Sequence, residues 1–192
     1  MSRACHMRTI LLLLVLVIHA VGTAAWGFSL KLDGLVTDYA TGKAMQARVR
    51  VYKNGALAQV CTTKANGKYA VSLDNGADYV VRVDAPGYQG KCITIGTQGA
   101  EWAGDRRVRS LEVEIRLPGR IYGTDLSSLD LPLGIARFEP ATGHVRWSQT
   151  YERNIQAEVR QAMALYNRLA RASGQLASTR LHGSILVEAL VL

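Results

Sequence analysis

The side chains able to do chemistry are few in this sequence, and their spacing points to binding. Trp102, Arg106, Arg107 and Arg109 form the densest set, three arginines within four residues and an indole just ahead of them. Guanidinium groups pair bidentately with carboxylates and phosphates, and an indole stacks on a sugar or a cation. These four residues are the candidate binding site, suited to an anionic ligand. The other reading of the same stretch is a solvated loop with Trp102 folded onto the protein. Arg48, Arg50 and Arg82 form a second basic group whose default reading is a solvated strand face. His144 and His182 stand apart from one another, and neither has a Glu two or three residues on. A catalytic zinc centre needs a His and Glu set around an open position, so no metal is expected. No Gly-x-Ser-x-Gly elbow accompanies His144. The expectation is a chain with no catalytic residues, no metal and no cofactor.

The first 25 residues read as an address. Arg3 and Arg8 give a positive start, Ile10 to Ile18 is an unbroken apolar run, and Gly22, Thr23, Ala24 and Ala25 offer a small-residue cleavage site. The run is short for a permanent span. A secretory signal cut near Ala25 is expected, with an uncleaved anchor as the alternative and no stable membrane span after cleavage. Export places the mature chain outside the cell, in the periplasm or in the cell envelope, and removes nucleic acid as a partner. The formal charge of +8 loses Arg3 and Arg8 with the leader and stays basic. Such a balance suits an anionic envelope polysaccharide, or another protein, as partner. Cys5 leaves with the leader, so Cys61 and Cys92 remain. They are either a disulfide in an oxidising compartment or free thiols acting as small apolar side chains.

The elements that must position these groups are strands. Thr41-Gly42, Asn54-Gly55, Asn66-Gly67 and Asn75-Gly76 are turn signals between short alternating runs. Ala47-Arg48-Val49-Arg50-Val51 and Tyr79-Val80-Val81-Arg82-Val83 alternate Val with Arg, and alternation turns successive side chains to opposite faces. The runs predict strands at Leu30–Asp38, Ala47–Lys53, Leu57–Thr63, Tyr69–Leu73, Tyr79–Val83, Cys92–Ile95 and Ser110–Leu117. The last carries Leu111, Val113, Ile115 and Leu117 inward and Glu112, Glu114 and Arg116 outward. Thr97 to Arg109 reads as a loop.

Gly34-x-Val36-x-Asp38, Thr41-Gly42 and Ala47-x-Val49-x-Val51, followed by Thr63-x-x-Asn66-Gly67-x-Tyr69 and Asp78-Tyr79-x-Val81-x-Val83-x-Ala85-x-Gly87-Tyr88, form a pattern. It resembles the carboxypeptidase regulatory-like domain family. The resemblance implies a mainly β fold, a seven-stranded prealbumin-like (Ig-like) antiparallel β-sandwich, over Leu30 to Leu117. Ala44, Met45 and Gln46 depart from it, standing where the family usually has Pro, Leu and Gly. Such modules are grafted onto many unrelated proteins, so the resemblance speaks to fold more than to function.

Past Pro118 the pattern changes. A linker at Tyr122–Leu133 leads to a hairpin, Gly134–Phe138 with His144–Trp147, and to a helix over Tyr151–Ser173 capped by Thr150 and ended by Gly174. Ile155, Val159, Met163, Tyr166 and Leu169 make its apolar stripe, which packs on the sandwich or hairpin or lies on a membrane surface. The division is a signal at 1–25, a sandwich domain at 26–118, linker, hairpin and amphipathic helix at 119–174, and a tail at 175–192 that docks as a strand or frays. The functional expectation is an exported noncatalytic module for binding or structural support in the cell envelope. The alternative is an accessory protein of a secreted peptidase carried on another chain.

Overall fold

Alternation gives each strand an apolar and a polar side, and two such ribbons can bury their apolar sides only against each other. The computed structural model describes residues 29–99, 109–121, 123, 127–139, 142 and 144–173. Its strands are β1 Ser29–Asp38, β2 Arg48–Lys53, β3 Ala56–Thr62, β4 Lys68–Asp74, β5 Asp78–Asp84, β6 Lys91–Gly96, β7 Arg109–Leu117, β8 Ile135–Glu139 and β9 His144–Trp147. A 3-10 turn, Ser127–Asp130, precedes β8, and one helix, α1, Gln149–Ala172, follows β9. The strands form a three-stranded sheet, β4-β1-β7, and a six-stranded sheet, β3-β2-β5-β6-β8-β9, packed as a sandwich.

The core between the sheets is the apolar half of the pattern. Val49, Val51, Val81 and Val83 meet Leu32, Leu111, Val113 and Ile115, all buried. Each such side chain contributes about 1.5–3 kcal/mol on full burial. Asn54 and Gly55 join β2 to β3 with φ of 50° and 84°, the left-handed pair a two-residue hairpin of this twist demands. Gly34 has a different reason to be glycine. It pairs with Tyr69 across β1 and β4, and a Cβ there would overlap the Tyr69 ring.

Two features differ from the expected arrangement. The sandwich is not wholly antiparallel: β7 runs parallel to β1 from Leu30↔Arg109 to Asp38↔Leu117, and β8 runs parallel to β6. Parallel neighbours need a crossover of a dozen or more residues, and long connections precede both β7 and β8. The hairpin β8–β9 also extends the six-stranded sheet through β6, so Ala136, Phe138 and Val145 belong to the main core.

Helix α1 starts earlier than the sequence pattern predicts, because Ser148 is its cap: the Ser148 hydroxyl accepts from the Tyr151 amide at 3.2 Å. Gly174 lies outside the described residues. The helix buries Ala162, Met163, Tyr166 and Ala170 against Leu129 of the 3-10 turn, with Tyr39, Ala40 and Ile121 around them. Its stripe therefore packs at the end of the sandwich where β1 and β7 finish. Tyr39 and Tyr166 meet edge to face, ring centres 5.8 Å apart. Beside them the Tyr88 hydroxyl donates to Asp38 Oδ2 at 2.8 Å. Among the described residues no helix is long and apolar enough to cross a membrane. The leader and the tail lie outside them.

Candidate binding face

Strand register turns the scattered arginines into an ordered surface. The outer face of the six-stranded sheet consists of transverse rows. One row runs Thr62, Arg48, Asp84, and the next runs Val60, Arg50, Arg82, Cys92. The third is Leu57, Tyr52, Val80, Thr94, Ile135. Beyond it lie Asp78, Gly96, Arg137 and Arg146. A mostly apolar row thus lies between two rows bearing arginine. α1 buries its stripe at the end of the sandwich, and at the Cys92 corner the face meets the 3-10 turn, where the Cys92 thiol donates to the Asp130 carbonyl.

One carboxylate organises the first two rows. Asp84 Oδ2 accepts from Arg48 Nη2 at 2.9 Å and Nε at 3.3 Å, and Oδ1 accepts from Arg50 Nη2 at 2.7 Å and Nε at 3.1 Å. Burial alone would raise the Asp84 carboxyl, but the hydrogen bonds from Arg48 and Arg50 outweigh it and hold it below the ordinary range. The same bond to Asp84 raises Arg50. One negative charge thus serves two guanidiniums, leaving surplus positive charge and unused N–H donors. Arg82 stands directly across from Arg50, and its nearest acid is Asp130 at 3.8 Å. On the far side of the apolar row, Arg146 pairs with Glu139 at 3.0 Å, while Arg137 has no ion pair among the described residues. Forked donors flanking an apolar strip can grip a ligand that presents carboxylates or sulfates along one edge and C–H surface on its face.

Of the four residues singled out in the sequence, Trp102, Arg106 and Arg107 lie outside the described residues. Arg109 opens β7, paired with Leu30. Cys61 and Cys92 do not form a disulfide; both are free thiols. β2 and β5 lie between their strands, which puts their backbones about 14 Å apart at the usual strand spacing, beyond the ~7 Å that a disulfide spans. They also face opposite ways: Cys61 packs on the core between the sheets, and Cys92 lies in the outer row beside Arg82. Burial raises both thiols.

The sequence reading missed Asp84 and Tyr52. Asp84 continues the outward alternation of Val80 and Arg82, so its face was legible, but its partnership with β2 needed the strand register. It also missed Lys91, which is 5% exposed and donates from Nζ to the Leu129 carbonyl at 2.8 Å. Burial lowers its pKa to about 8, with nearby Asp130 opposing the shift. Among the described residues no group of three or more His, Cys, Asp or Glu could hold a metal ion.

No family model matches the sequence, and no curated protein matches it. Among solved structures, the chain is similar to catechol 1,2-dioxygenase from Acinetobacter sp. ADP1, with 16% identity over 54% of this chain and 57% of that one, at a TM-score of 0.36. The enzyme of the same name from Pseudomonas arvilla C-1 gives 16% identity over 54% and 56%, also at 0.36. A putative membrane-associated protein of unknown function from Bacteroides fragilis gives 14% identity over 52% and 30%, at 0.29. The chain spans about half the length of the two dioxygenases and less of the third protein.

Proposed function

We propose that this chain is an exported, noncatalytic β-sandwich module of the cell envelope, similar to carboxypeptidase regulatory-like domains and their prealbumin-like sandwich, that binds an acidic polysaccharide on the outer face of its six-stranded sheet. The observation that carries the reading is the sharing of Asp84 by Arg48 and Arg50 beside an opposed Arg82. Sugar rings present C–H faces that pack on Tyr52, Leu57 and Val80, while uronate carboxylates accept from the arginine forks. A rigid sheet fixes the spacing of these groups, so little side-chain order has to be gained on binding.

The test is retention on an immobilised polyuronate. The unmodified chain is retained and elutes as salt rises, since exposed charges are screened over about 8 Å at physiological ionic strength. Replacing Arg48, Arg50 and Arg82 by Ser abolishes retention while the melting temperature moves by only a few degrees. Replacing Trp102 by Ala and Arg106, Arg107 and Arg109 by Ser leaves most of the retention in place. Loss in the second variant alone moves the ligand to the β6–β7 connection. No retention of the unmodified chain refutes the polysaccharide reading.

A further inference from the structure

Helix α1 commits its apolar stripe to the end of the sandwich, and the side it turns to solvent carries charge of one sign. At 3.6 residues per turn, Arg153, Arg160 and Arg171 fall within about 20° of one line along the helix, with Arg168 about 60° round. The buried residues Ala162, Met163, Tyr166 and Ala170 lie between about 180° and 280° round from Arg153, on the far side. All four arginines are exposed, and exposed Ala157 and Ala164 fill the stripe between them. Glu152 and Glu158, the acids of the helix, lie about 100° and 140° from Arg153 on opposite flanks. No acid stands three or four residues from any of these arginines, the spacing at which helical ion pairs form. The ion pairs among the described residues leave all four out. Arg168 and Arg171 stand three apart, where like charges repel. Arg153 Nε donates to the Gln149 carbonyl at 3.3 Å and Arg160 Nε to the Gln156 carbonyl at 3.2 Å. Those two side chains thus lie along the helix and keep their Nη donors for an outside partner.

We propose that this arginine stripe rests on an anionic phospholipid surface, with α1 lying along the plane of the headgroups. Charge complementarity calls for an anionic partner, and the spacing selects which one. The stripe runs about 27 Å from Arg153 to Arg171, with gaps of about 10 Å and 12 Å on either side of Arg160. The guanidiniums therefore converge on no single ligand. A bilayer suits that dispersion, because its headgroups diffuse to each arginine and no fixed register is needed. A polyuronate finds less to hold here. Between the arginines it meets only Ala157 and Ala164, whereas the sheet face offers Tyr52, Leu57 and Val80 to a sugar ring. An acidic protein would have to match the gaps one by one, for exposed ion pairs that are individually weak. The contact stays at the headgroups. The apolar face with which a helix inserts is already packed against Leu129 and Tyr39.

Cosedimentation of the chain, purified as it is exported, with vesicles at low ionic strength tests this. The expected result is binding to vesicles of equal parts phosphatidylglycerol and phosphatidylcholine, release by salt, and no binding to phosphatidylcholine alone. Each basic residue near such a surface contributes about fivefold to partitioning. Arg153→Gln with Arg160→Gln should therefore lower it at least tenfold, with the melting temperature unchanged because both sites are exposed. Replacing Arg48, Arg50 and Arg82 by Ser should leave most of the vesicle binding in place, which separates this surface from the sheet face. Absence of binding to the phosphatidylglycerol vesicles overturns the proposal. So does binding indifferent to the helix substitutions, or lost in the sheet variant and kept in the helix variant. A helix variant that keeps vesicle binding but loses polyuronate retention assigns the stripe to the polysaccharide and overturns it as well.

Discussion

On the outer face of the three-stranded sheet, Glu114 and Asp33 each have two local partners. Glu114 accepts from Thr37 at 2.8 Å and from Arg116 at 3.0 Å. Asp33 accepts from Lys31 at 3.0 Å and from Ser110 at 3.1 Å. On the outer face of the six-stranded sheet the ratio is reversed, and Asp84 alone takes both Arg48 and Arg50. Both faces arise from the same alternation of apolar and polar residues, and both back onto the same core. The difference therefore lies in the outward residues alone, which vary at smaller cost to the fold than the inward ones. A face that carries Asp33, Glu112 and Glu114 has no donors to spare for an anionic ligand, whereas a face with donors in excess presents them to solvent.

The comparison depends on the inward half of the pattern being indispensable, and the largest expected effect tests that. Val113 is 3% exposed in β7, so Val113→Asp buries an unpaired charge and costs several kcal/mol out of the roughly 5–15 available to a domain. Circular dichroism at 25 °C should find that variant largely unfolded.

Next comes the start of β6. Lys91 titrates at about 8 in the folded chain against an ordinary 10.5. Below pH 8 both folded and unfolded chains carry the charge, and its burial cost is felt in full. Between pH 8 and 10.5 the unfolded chain holds a proton that the folded chain has released, so stability rises with pH. Tyr69, Tyr88 and Tyr166 are pushed up by burial or, for Tyr88, first by its bond to Asp38, and they act in the opposite sense above about pH 10. The Cys61 and Cys92 thiols, also raised by burial, oppose the rise from about pH 8.5 upward. The Lys91 gain of about 2 kcal/mol between pH 7.5 and pH 9.5 is therefore read in a Cys61→Ser, Cys92→Ser background. Urea melts at the two pH values should show that rise, and Lys91→Met should remove it.

Asp84→Asn sharpens the contrast between the faces. It removes a carboxylate held below its ordinary range, whose stabilisation is present above the ordinary aspartate value and is lost as pH falls through the lowered one. Its partners are partly exposed, so the cost at neutral pH is about 1 kcal/mol. The same change frees Arg48 and Arg50, and retention on polyuronate should then need more salt to break. The smallest effect belongs to Glu112→Lys, an exposed site on β7. It should move stability by less than about 0.5 kcal/mol and leave polyuronate retention unchanged.

The strands were legible in the sequence because their cause is local. Asn54-Gly55 and the Val–Arg alternation act over a few residues, and β5 and β7 fall within a residue of where the pattern puts them. The helix start was misplaced by two residues because Thr150 and Ser148 are both competent caps, and only the path of the chain out of β9 selects Ser148. What the sequence could not show was distance across the sheet. Asp84 lies 36 residues from Arg48 and 34 from Arg50, and the pairing of β2 with β5 is a tertiary fact. The same ignorance of strand order left the pairing of Cys61 with Cys92 open. The parallel entry of β7 beside β1 was equally invisible, since alternation fixes facing and not direction.

Amide chemical-shift mapping of the isotope-labelled chain during titration with a uronate oligosaccharide tests the central claim most directly, because it reports position and not only retention. The account predicts that shifts concentrate at Arg48, Arg50, Tyr52, Val80, Arg82 and Thr94, with β7 from Glu112 to Arg116 unmoved, and that they fade as salt is added. Shifts confined to Glu112–Arg116 or to residues 101–108, with β2 and β5 silent, would contradict it.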